Sequence, residues 1–535
     1  MRAHRLLSIA VSLILTNTPA APVSDNVALW QDGLPRCRIV VPSPDEAALR
    51  LGAATINDFL RRSFHIELPT AREVDEPGTY ILLGTAQHRP WIEKTSAVRL
   101  TTEDLGDEGF HLLGGENGTS RFIVVYGRTP RAIKHGCQEL LYYHLAATTK
   151  DGQADWPLNV VMKPAIAYRG VYMLPCWAAH DSFASWQRVL RFHSELTINR
   201  NWFWLDGFPV AGHTGEYAGT ALADERNVQS LIDLVGAEDM RILIGGGWFN
   251  WHHGKAVGKD YAKGIDYYLA YLKAFRGFHG FYIEPTGEGN EIKDWRPECD
   301  ALRELIARVA KERPDHEFAI AIGRFNNREY LKLMSQCDPR RVYWWWCWGD
   351  PIRDKTLDLY PSVLRWHVVV SMSGFHGSLE PPRPAERALA GVVTSYDPGM
   401  GFGNPWNGWG NLGADKPRNF DPHNVPYFAH QYHYRERCWN PGLSEKDFVA
   451  RLHRRLFDAD APADAGEQYW RLSRMTLQSH STTRPTAEQI APIQAFLENV
   501  RGRAFTPRTA DALTRMEEAV RQWRRILETP AKKKA

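Results

Sequence analysis

The chain has 535 residues, of which 44% are hydrophobic and 24% are charged, and its formal net charge is +3. This composition is typical of a globular protein, and the length predicts two or three domains. The small net charge gives no electrostatic case for a nucleic-acid partner. The 20 tryptophans favour a carbohydrate site only mildly, because tryptophan also fills hydrophobic cores.

The first 21 residues have the pattern of a secretory signal peptide. Arg5 precedes an apolar run over residues 6–15, and Thr18 and Ala20 occupy the small-residue positions before a predicted cleavage site. The run is too short to cross a bilayer, and no later segment reaches the roughly 18 apolar residues that a span needs. We therefore expect a secreted or periplasmic protein without a membrane span.

The seven cysteines show neither a CxxC pair nor a zinc-like spacing. In an exported protein, one or two disulfides fit this number, but the sequence does not assign their pairing. The adjacent His252 and His253 point in different directions and lack an HExxH pattern. We therefore expect no metal site and no cofactor.

Residues 22–163 predict an N-terminal α+β sandwich domain. The chain there combines apolar β runs with stretches of helical period, which is typical of a small layered domain. Thr129 is a predicted N-cap ahead of Pro130. The predicted strands cover 37–42, 79–85, 109–115 and 120–129, and the predicted helices cover 45–64 and 129–145.

Residues 164–440 contain eight short apolar runs that predict parallel strands. Helical periods over 183–196 and 261–275 separate early members of the series. Eight strand–helix repeats over roughly 250 residues are what a TIM barrel requires. We therefore predict an α/β fold with a (β/α)8 TIM barrel, in which the last three crossovers are short, followed by a helical region at 441–535. The predicted strands cover 168–174, 201–207, 241–248, 280–285, 317–323, 342–348, 365–372 and 390–396.

A TIM barrel places its active site at the C-terminal ends of the strands, so the predicted fold selects candidate residues. The fourth strand ends in GFYIEPTGEGNEI, which carries Glu284, Glu288 and Glu291. Glu288 and Glu291 are equally compatible with solvated loop charges, and Glu284 with a structural salt bridge. The other candidates follow the remaining strands, and they are acidic or aromatic residues and one histidine. They are Asp206, Trp248, His252, Trp348, Asp350, Glu380, Tyr396, Asp397, Trp406 and Trp409.

Short patches of the chain resemble a group of glycoside hydrolases. RTPRAIKHGCQELLYYHL is similar to the end of the small domain that precedes the barrel in β-N-acetylhexosaminidases, α-glucuronidases and O-GlcNAcases. YRGVYML resembles the Arg-Gly start of the hexosaminidase barrel. There the equivalent of Arg169 holds sugar hydroxyls. ELTINRNWFWLDG resembles the second strand, which implies that Asp206 lies near the sugar or the acid.

The fourth strand departs from the hexosaminidase pattern. Those enzymes end this strand with an adjacent Asp-Glu pair, whereas this chain has IEPTGEGNE. The α-glucuronidase-like pattern implies one glutamate acid after strand four and base carboxylates after strands six and seven, where Asp350 and Glu380 lie. That arrangement implies inversion, with carboxyl groups about 6.5–9.5 Å apart.

We therefore predict a secreted glycoside hydrolase that cleaves O-glycosidic bonds in poly- or oligosaccharides, with Glu284 or Glu288 as general acid and Asp350, Glu380 or Asp397 as its partner. The substrate-binding candidates are Arg169, Asp206, Trp248, His252, Glu291, Trp348, Tyr396, Asp397, Trp406 and Trp409. Two alternatives remain open at this point. One is a glycan-binding protein that has lost its catalytic pair, and the other is an enzyme that cleaves polysaccharide by elimination.

Overall fold

The computed structural model describes residues 26–173, 182–204, 221–247, 261–284, 296–321, 341–346, 368–371, 389–395, 421–478 and 486–528.

The N-terminal unit holds two sheets. Its strands are β1 (Val27–Gln31), β2 (Leu34–Pro35), β3 (Cys37–Val40), β4 (Thr70–Ala71), β5 (Thr79–Gly84), β6 (Phe110–Asn117), β7 (Ser120–Gly127), β8 (Leu145–Ala147), β9 (Gly152–Ala154) and β10 (Asn159–Met162). One sheet has the order β10-β6-β7-β5-β3-β4, and the other has the order β2-β1-β9-β8. The predicted strands lie in the first sheet. The second was not predicted, because strands of two to five residues carry little period-2 signal.

Helices cover both faces of the six-stranded sheet. These are α1 (Ala47–Phe64), α2 (Arg89–Ser96) and α3 (Pro130–Tyr143). Side chains alternate along β5, so Ile81 packs with α1 and α3, whereas Leu82 packs with α2. The Thr129 side chain accepts a hydrogen bond from the Ala132 N–H at 3.2 Å, which confirms the predicted N-cap. Helix α2 was not predicted.

Eight parallel strands close into a barrel in chain order. They are β11 (Tyr168–Met173), β12 (Arg200–Trp204), β13 (Arg241–Gly247), β14 (Gly280–Glu284), β15 (Glu317–Ala321), β16 (Val342–Trp346), β17 (Val368–Ser371) and β18 (Gly391–Ser395). Strand β11 pairs with β12 on one side and with β18 on the other, which closes the sheet. All eight predicted strands are present, and each agrees with its predicted range to within a few residues.

Helices follow the first four barrel strands and continue after the last. The first group is α4 (Phe183–Glu195), α5 (Glu225–Ala237), α6 (Tyr261–Ala274) and α7 (Arg296–Glu312). The connections after β15, β16 and β17 lie outside the described residues, so the full (β/α)8 repeat stays a prediction there. The later helices are α8 (Val425–Trp439), α9 (Glu445–Leu456), α10 (Ala465–Gln478), α11 (Ala487–Val500) and α12 (Pro507–Glu528). None of the helices in the described ranges is long and apolar enough to cross a membrane.

A buried ion-pair network joins the N-terminal unit to the first barrel strand. Glu108, just before β6, is paired with Arg169 of β11 and accepts a hydrogen bond from Arg131 at 2.7 Å. Asn199, just before β12, donates to the same carboxylate at 2.6 Å. Burial by itself would raise the pKa of Glu108, but the positive charge of Arg169, with smaller contributions that include Arg131, holds this pKa well below its usual range. Glu108 is therefore an anion at neutral pH.

A second network attaches the C-terminal helices to α3. Both guanidinium Nη atoms of Arg451 donate to the buried Glu139 carboxylate at 3.1 Å, and the Arg451 Nε donates to Glu436 at 2.7 Å. The same guanidinium lies over the ring of Tyr143, 3.7 Å from its centroid. Such bidentate pairs fix orientation as well as charge. Helices α3, α8 and α9 are thus held in one arrangement.

Two glycines allow the strands on either side of β14 to approach it closely. Gly245 and Gly280 have φ values of +153° and +156°, which L side chains rarely adopt. A Cβ atom on Gly245 would lie 1.9 Å from the Tyr282 carbonyl oxygen, and one on Gly280 would lie 1.8 Å from that of Glu317. Gly245 and Gly280 therefore serve strand packing.

We expect Gly280→Ala to destabilise the fold. The strained φ alone costs about 1–3 kcal/mol, and the clash with the Glu317 carbonyl adds to that cost. Gly236→Ala in α5 is the matched control, because a Cβ atom there meets nothing within 4 Å and helix propensity favours alanine by up to about 1 kcal/mol. Urea unfolding would measure both free energies. Equal midpoints for the two variants would contradict the close-approach argument.

We also expect Glu108→Gln to lower the free energy of unfolding by about 3–5 kcal/mol at neutral pH, because it leaves Arg169 buried without its counter-ion. The folded pKa of Glu108 is depressed, so its contribution is present above the unfolded carboxyl pKa of about 4.3 and is lost as the pH falls below it. Stability should therefore fall less steeply with acid in this variant. Glu103→Gln, at an exposed position nearby, should retain the wild-type slope.

Candidate active site at the C-terminal ends of the barrel strands

Aromatic side chains fill the middle of the barrel. Tyr172, Trp202, Tyr282 and Trp345 are each at most 2% exposed and form one interior cluster. The Trp202 ring stacks on Tyr282 at 5.3 Å, and the Tyr172 ring lies 5.0 Å from Trp345. The neighbouring Trp344 packs outward instead, as expected from the alternation of side chains along a strand. The barrel interior is therefore a packed apolar core below its C-terminal rim.

Charged residues close the opposite, N-terminal end. Glu317 accepts from Arg200 at 2.8 Å and from Arg241 at 3.1 Å, and each of these residues begins its strand. The Arg200 guanidinium also lies 4.9 Å from the centroid of the Tyr168 ring. Burial and the nearby Glu317 charge raise the pKa of Tyr168 well above its usual value, so this phenol stays protonated. This cluster seals the barrel at the N-terminal end, on the side away from the predicted active site.

Glu284 is the last residue of β14, at the C-terminal edge of the barrel, where it pairs with Gly247 of β13. Tyr282 belongs to the interior cluster, whereas Ile283 packs in the outer core. Since strand positions alternate between faces, position 284 shares the interior face with position 282. Glu284 thus ends the strand that contributes Tyr282 to the aromatic layer.

The strand positions beside Glu284 are occupied by small residues. Gly247 is its partner on β13, and the register between Ile283 and Ile320 places Ala321 next to it on β15. Neither residue carries more than a methyl group. Large side chains from these two positions therefore do not crowd the rim beside Glu284.

Arg169 lies at the N-terminal end of β11 and does not reach this rim. Its side chain is 1% exposed, paired with Glu108 and hydrogen-bonded to the carbonyl oxygens of Thr197 (3.0 Å from Nε) and Ile166 (2.9 Å from Nη1). The prediction that Arg169 holds sugar hydroxyls does not fit these contacts. Its guanidinium N–H groups are hydrogen-bonded to residues at the junction with the N-terminal unit. Arg169 therefore has a structural role there.

The other predicted site residues lie outside the described part of the chain, and their roles stay predictions. These are Glu288, Asp350, Glu380, Asp206, Trp248, His252, Glu291, Trp348, Tyr396, Asp397, Trp406 and Trp409. Sequence reasoning did not single out the interior aromatic layer. A signal was present, because Tyr168 and Tyr172, four residues apart on one strand, share a face, and Trp202 and Tyr282 lie within two other predicted strands.

The described cysteines are all buried: Cys37, Cys137, Cys299 and Cys438. Cys37, Cys137 and Cys438 are free thiols. Burial raises the pKa of Cys438 to about 12 and moves the pKa of Cys37 and Cys137 in the same direction. Among the described residues, no group of three or more His, Cys, Asp or Glu could hold a metal ion.

Comparison with known proteins shows the fold. No protein-family model matches the sequence, and no curated protein matches it. The chain is similar in structure to a GH20 exo-β-N-acetylglucosaminidase from Vibrio harveyi in complex with N-acetylglucosamine. That match has a TM-score of 0.52 and 13% identity, and it covers 81% of this chain and 74% of the other. CpGH84D matches with a TM-score of 0.52 and 12% identity over 93% of this chain and 81% of its own. At these identities the likeness establishes a shared fold with two glycoside hydrolase structures.

Proposed function

We propose that this chain is an exported glycoside hydrolase with Glu284 as its general acid. The observation that carries the proposal is the position of Glu284 at the C-terminal edge of β14, where barrel enzymes place catalytic groups. The compared structures support the reaction class, since one of them is a β-N-acetylglucosaminidase with N-acetylglucosamine bound. Their low identity leaves the substrate of this chain to experiment.

The surroundings of position 284 suit an acid. The aromatic layer formed by Tyr172, Trp202, Tyr282 and Trp345 provides an apolar floor. Such a floor favours the protonated form of a carboxyl group held above it, which is the form that must donate a proton to the glycosidic oxygen. Gly247, which pairs with Glu284 on the neighbouring strand, has no side chain that would take the place of a sugar ring beside the donor.

A second carboxylate is needed to complete hydrolysis. Asp350, Glu380 and Asp397 are the candidates, because each follows a later barrel strand in the sequence. In an inverting enzyme this group would remove a proton from water on the far side of the sugar, with the two carboxyl groups about 6.5–9.5 Å apart. Glu288 remains the alternative acid.

The buried thiols are compatible with export. An exposed thiol in an oxidising compartment is open to oxidation, but thiolate formation is suppressed at Cys37, Cys137 and Cys438 because burial raises each pKa. N-terminal sequencing of the mature protein tests export, and we expect cleavage after Ala20.

We expect the wild type to hydrolyse at least one member of a panel of chromogenic glycosides and plant, algal and glycosaminoglycan polymers. On a substrate whose leaving group is another sugar, Glu284→Gln should lower kcat by about 100-fold to 10,000-fold, because general acid catalysis contributes that much. Glycosides whose leaving group needs no protonation should be cleaved with a much smaller loss. Glu312→Gln, at the exposed end of α7, is the control and should retain full activity.

Three results would redirect the assignment. If Glu288→Gln shows the leaving-group dependence and Glu284→Gln does not, Glu288 is the acid. Wild-type protein that binds oligosaccharide but cleaves nothing is a glycan-binding protein, and products that absorb in the ultraviolet indicate elimination. Anomeric proton NMR of the first product then separates inversion from retention.

A further inference from the structure

A cavity of about 270 Å³ lies where the N-terminal unit, α4 and the C-terminal helices meet. We call it the arginine pocket. Aromatic residues, including Phe59 and Tyr142, form part of its wall, but four of its lining side chains are arginines. Its charged lining residues are Arg62, Arg455, Arg508, Arg515, Glu195 and Asp511. It is separate from the barrel rim at Glu284.

Arg455 is held in the wall of the pocket with few protein acceptors. Its side chain is 5% exposed, and its guanidinium lies over the ring of Tyr142, 3.3 Å from the centroid. Within the described ranges, the one hydrogen bond of this guanidinium is to Glu195, at 3.4 Å. A guanidinium carries several N–H donors, so this nearly buried group has donating capacity that the described protein leaves largely unused.

Arg508 also has more N–H donors than acceptors among the described residues. Its Nη2 atom is paired with Asp458 and lies 3.4 Å from the Phe457 carbonyl oxygen. Its Nε and Nη1 atoms are buried and have no acceptor among the described residues. Buried N–H donors without acceptors are rare in folded proteins. A bound ion that accepts their hydrogen bonds is one explanation for such donors. Two arginines that line one cavity therefore have more N–H donors than the described residues supply with oxygen acceptors.

The carboxylates that line the pocket do not supply the missing acceptors for Arg455 and Arg508. Glu195 is shared between Arg455 and Arg62, at 3.4 and 3.7 Å, which is long for a strong ion pair. Asp511 is engaged by Arg515 at 2.8 Å, and Arg515 also pairs with Asp421. Burial lowers the pKa of His423, another lining residue, so its ring adds no charge at neutral pH.

We propose that the arginine pocket binds an oxyanion, namely a sulfate, phosphate or carboxylate group. Such groups present several oxygen acceptors in the geometry that a guanidinium fork matches. The anion would accept hydrogen bonds from Arg455 and Arg508, and Arg62, which is 66% exposed, would contact it from the solvent side. The group could belong to a free ion or to an acidic sugar, and the two sources are separable by experiment.

Isothermal titration calorimetry of the full-length protein at constant ionic strength, with inorganic sulfate and inorganic phosphate, tests the site. We expect saturable binding that Arg62→Ala weakens about threefold, the size of effect expected for one exposed charge. Glu195→Gln should change affinity in the opposite direction, because it removes the carboxylate that competes with the anion for Arg455 and Arg62. Arg508→Lys, which retains the charge but loses the fork, should weaken binding further.

Arg61→Ala is the matched control. Arg61 precedes Arg62 on α1, is 54% exposed and pairs with Asp58 and Glu67 outside the pocket, so its loss should leave anion affinity unchanged. Sulfated and uronate oligosaccharides form the second arm, and tighter binding than that of inorganic ions identifies a glycan as the source. The absence of saturable binding, or equal effects of Arg61→Ala, Arg62→Ala and Glu195→Gln, would overturn the proposal. These binding measurements do not depend on whether the protein hydrolyses glycosides, so failure of the anion site and failure of the proposed function are distinguishable.

Discussion

The buried ion pair between Glu108 and Arg169 is the contact on which the arrangement of this molecule depends. Arg169 belongs to β11, the strand that closes the barrel by pairing with both β12 and β18. Because Glu108 also accepts from Arg131 and Asn199, one carboxylate fixes α3, β11 and the start of β12 together. The N-terminal unit is therefore bound to a strand that closes the barrel, and removing either partner would leave a buried charge uncompensated, which is costly.

The barrel itself is polarised along its axis. Glu317, Arg200 and Arg241 close one end with charge, aromatic rings fill the middle, and the chain continues into acidic and aromatic segments at the other end. Of the two ends of the barrel, we therefore expect the C-terminal one to bind a ligand. The close strand spacing at Gly245 and Gly280 supports this arrangement, because it brings the strands on both sides of β14 against the strand that ends in Glu284.

Particular elements show where sequence reasoning succeeded and where it failed. The eight barrel strands were predicted because each is a compact apolar run of adequate length. The four-stranded sheet and α2 were missed, since short strands and a helix of eight residues carry little periodic signal. Arg169 was assigned to the sugar site from its Arg-Gly motif. The assignment did not anticipate Glu108, which lies 61 residues earlier and consumes its charge.

The sequence by itself determined the eight barrel strands, their order along the chain and the position of Glu284 at the end of the fourth, because these depend on local patterns of apolar and polar residues. Only the tertiary structure decided which charges are partnered. It joined Arg169 to Glu108, sealed one end of the barrel with Glu317, and left Arg455 and Arg508 short of acceptors in a shared pocket. Hydrogen bonds and ion pairs join residues distant in the chain, so their pairing follows from the packing of whole elements, which no local pattern encodes.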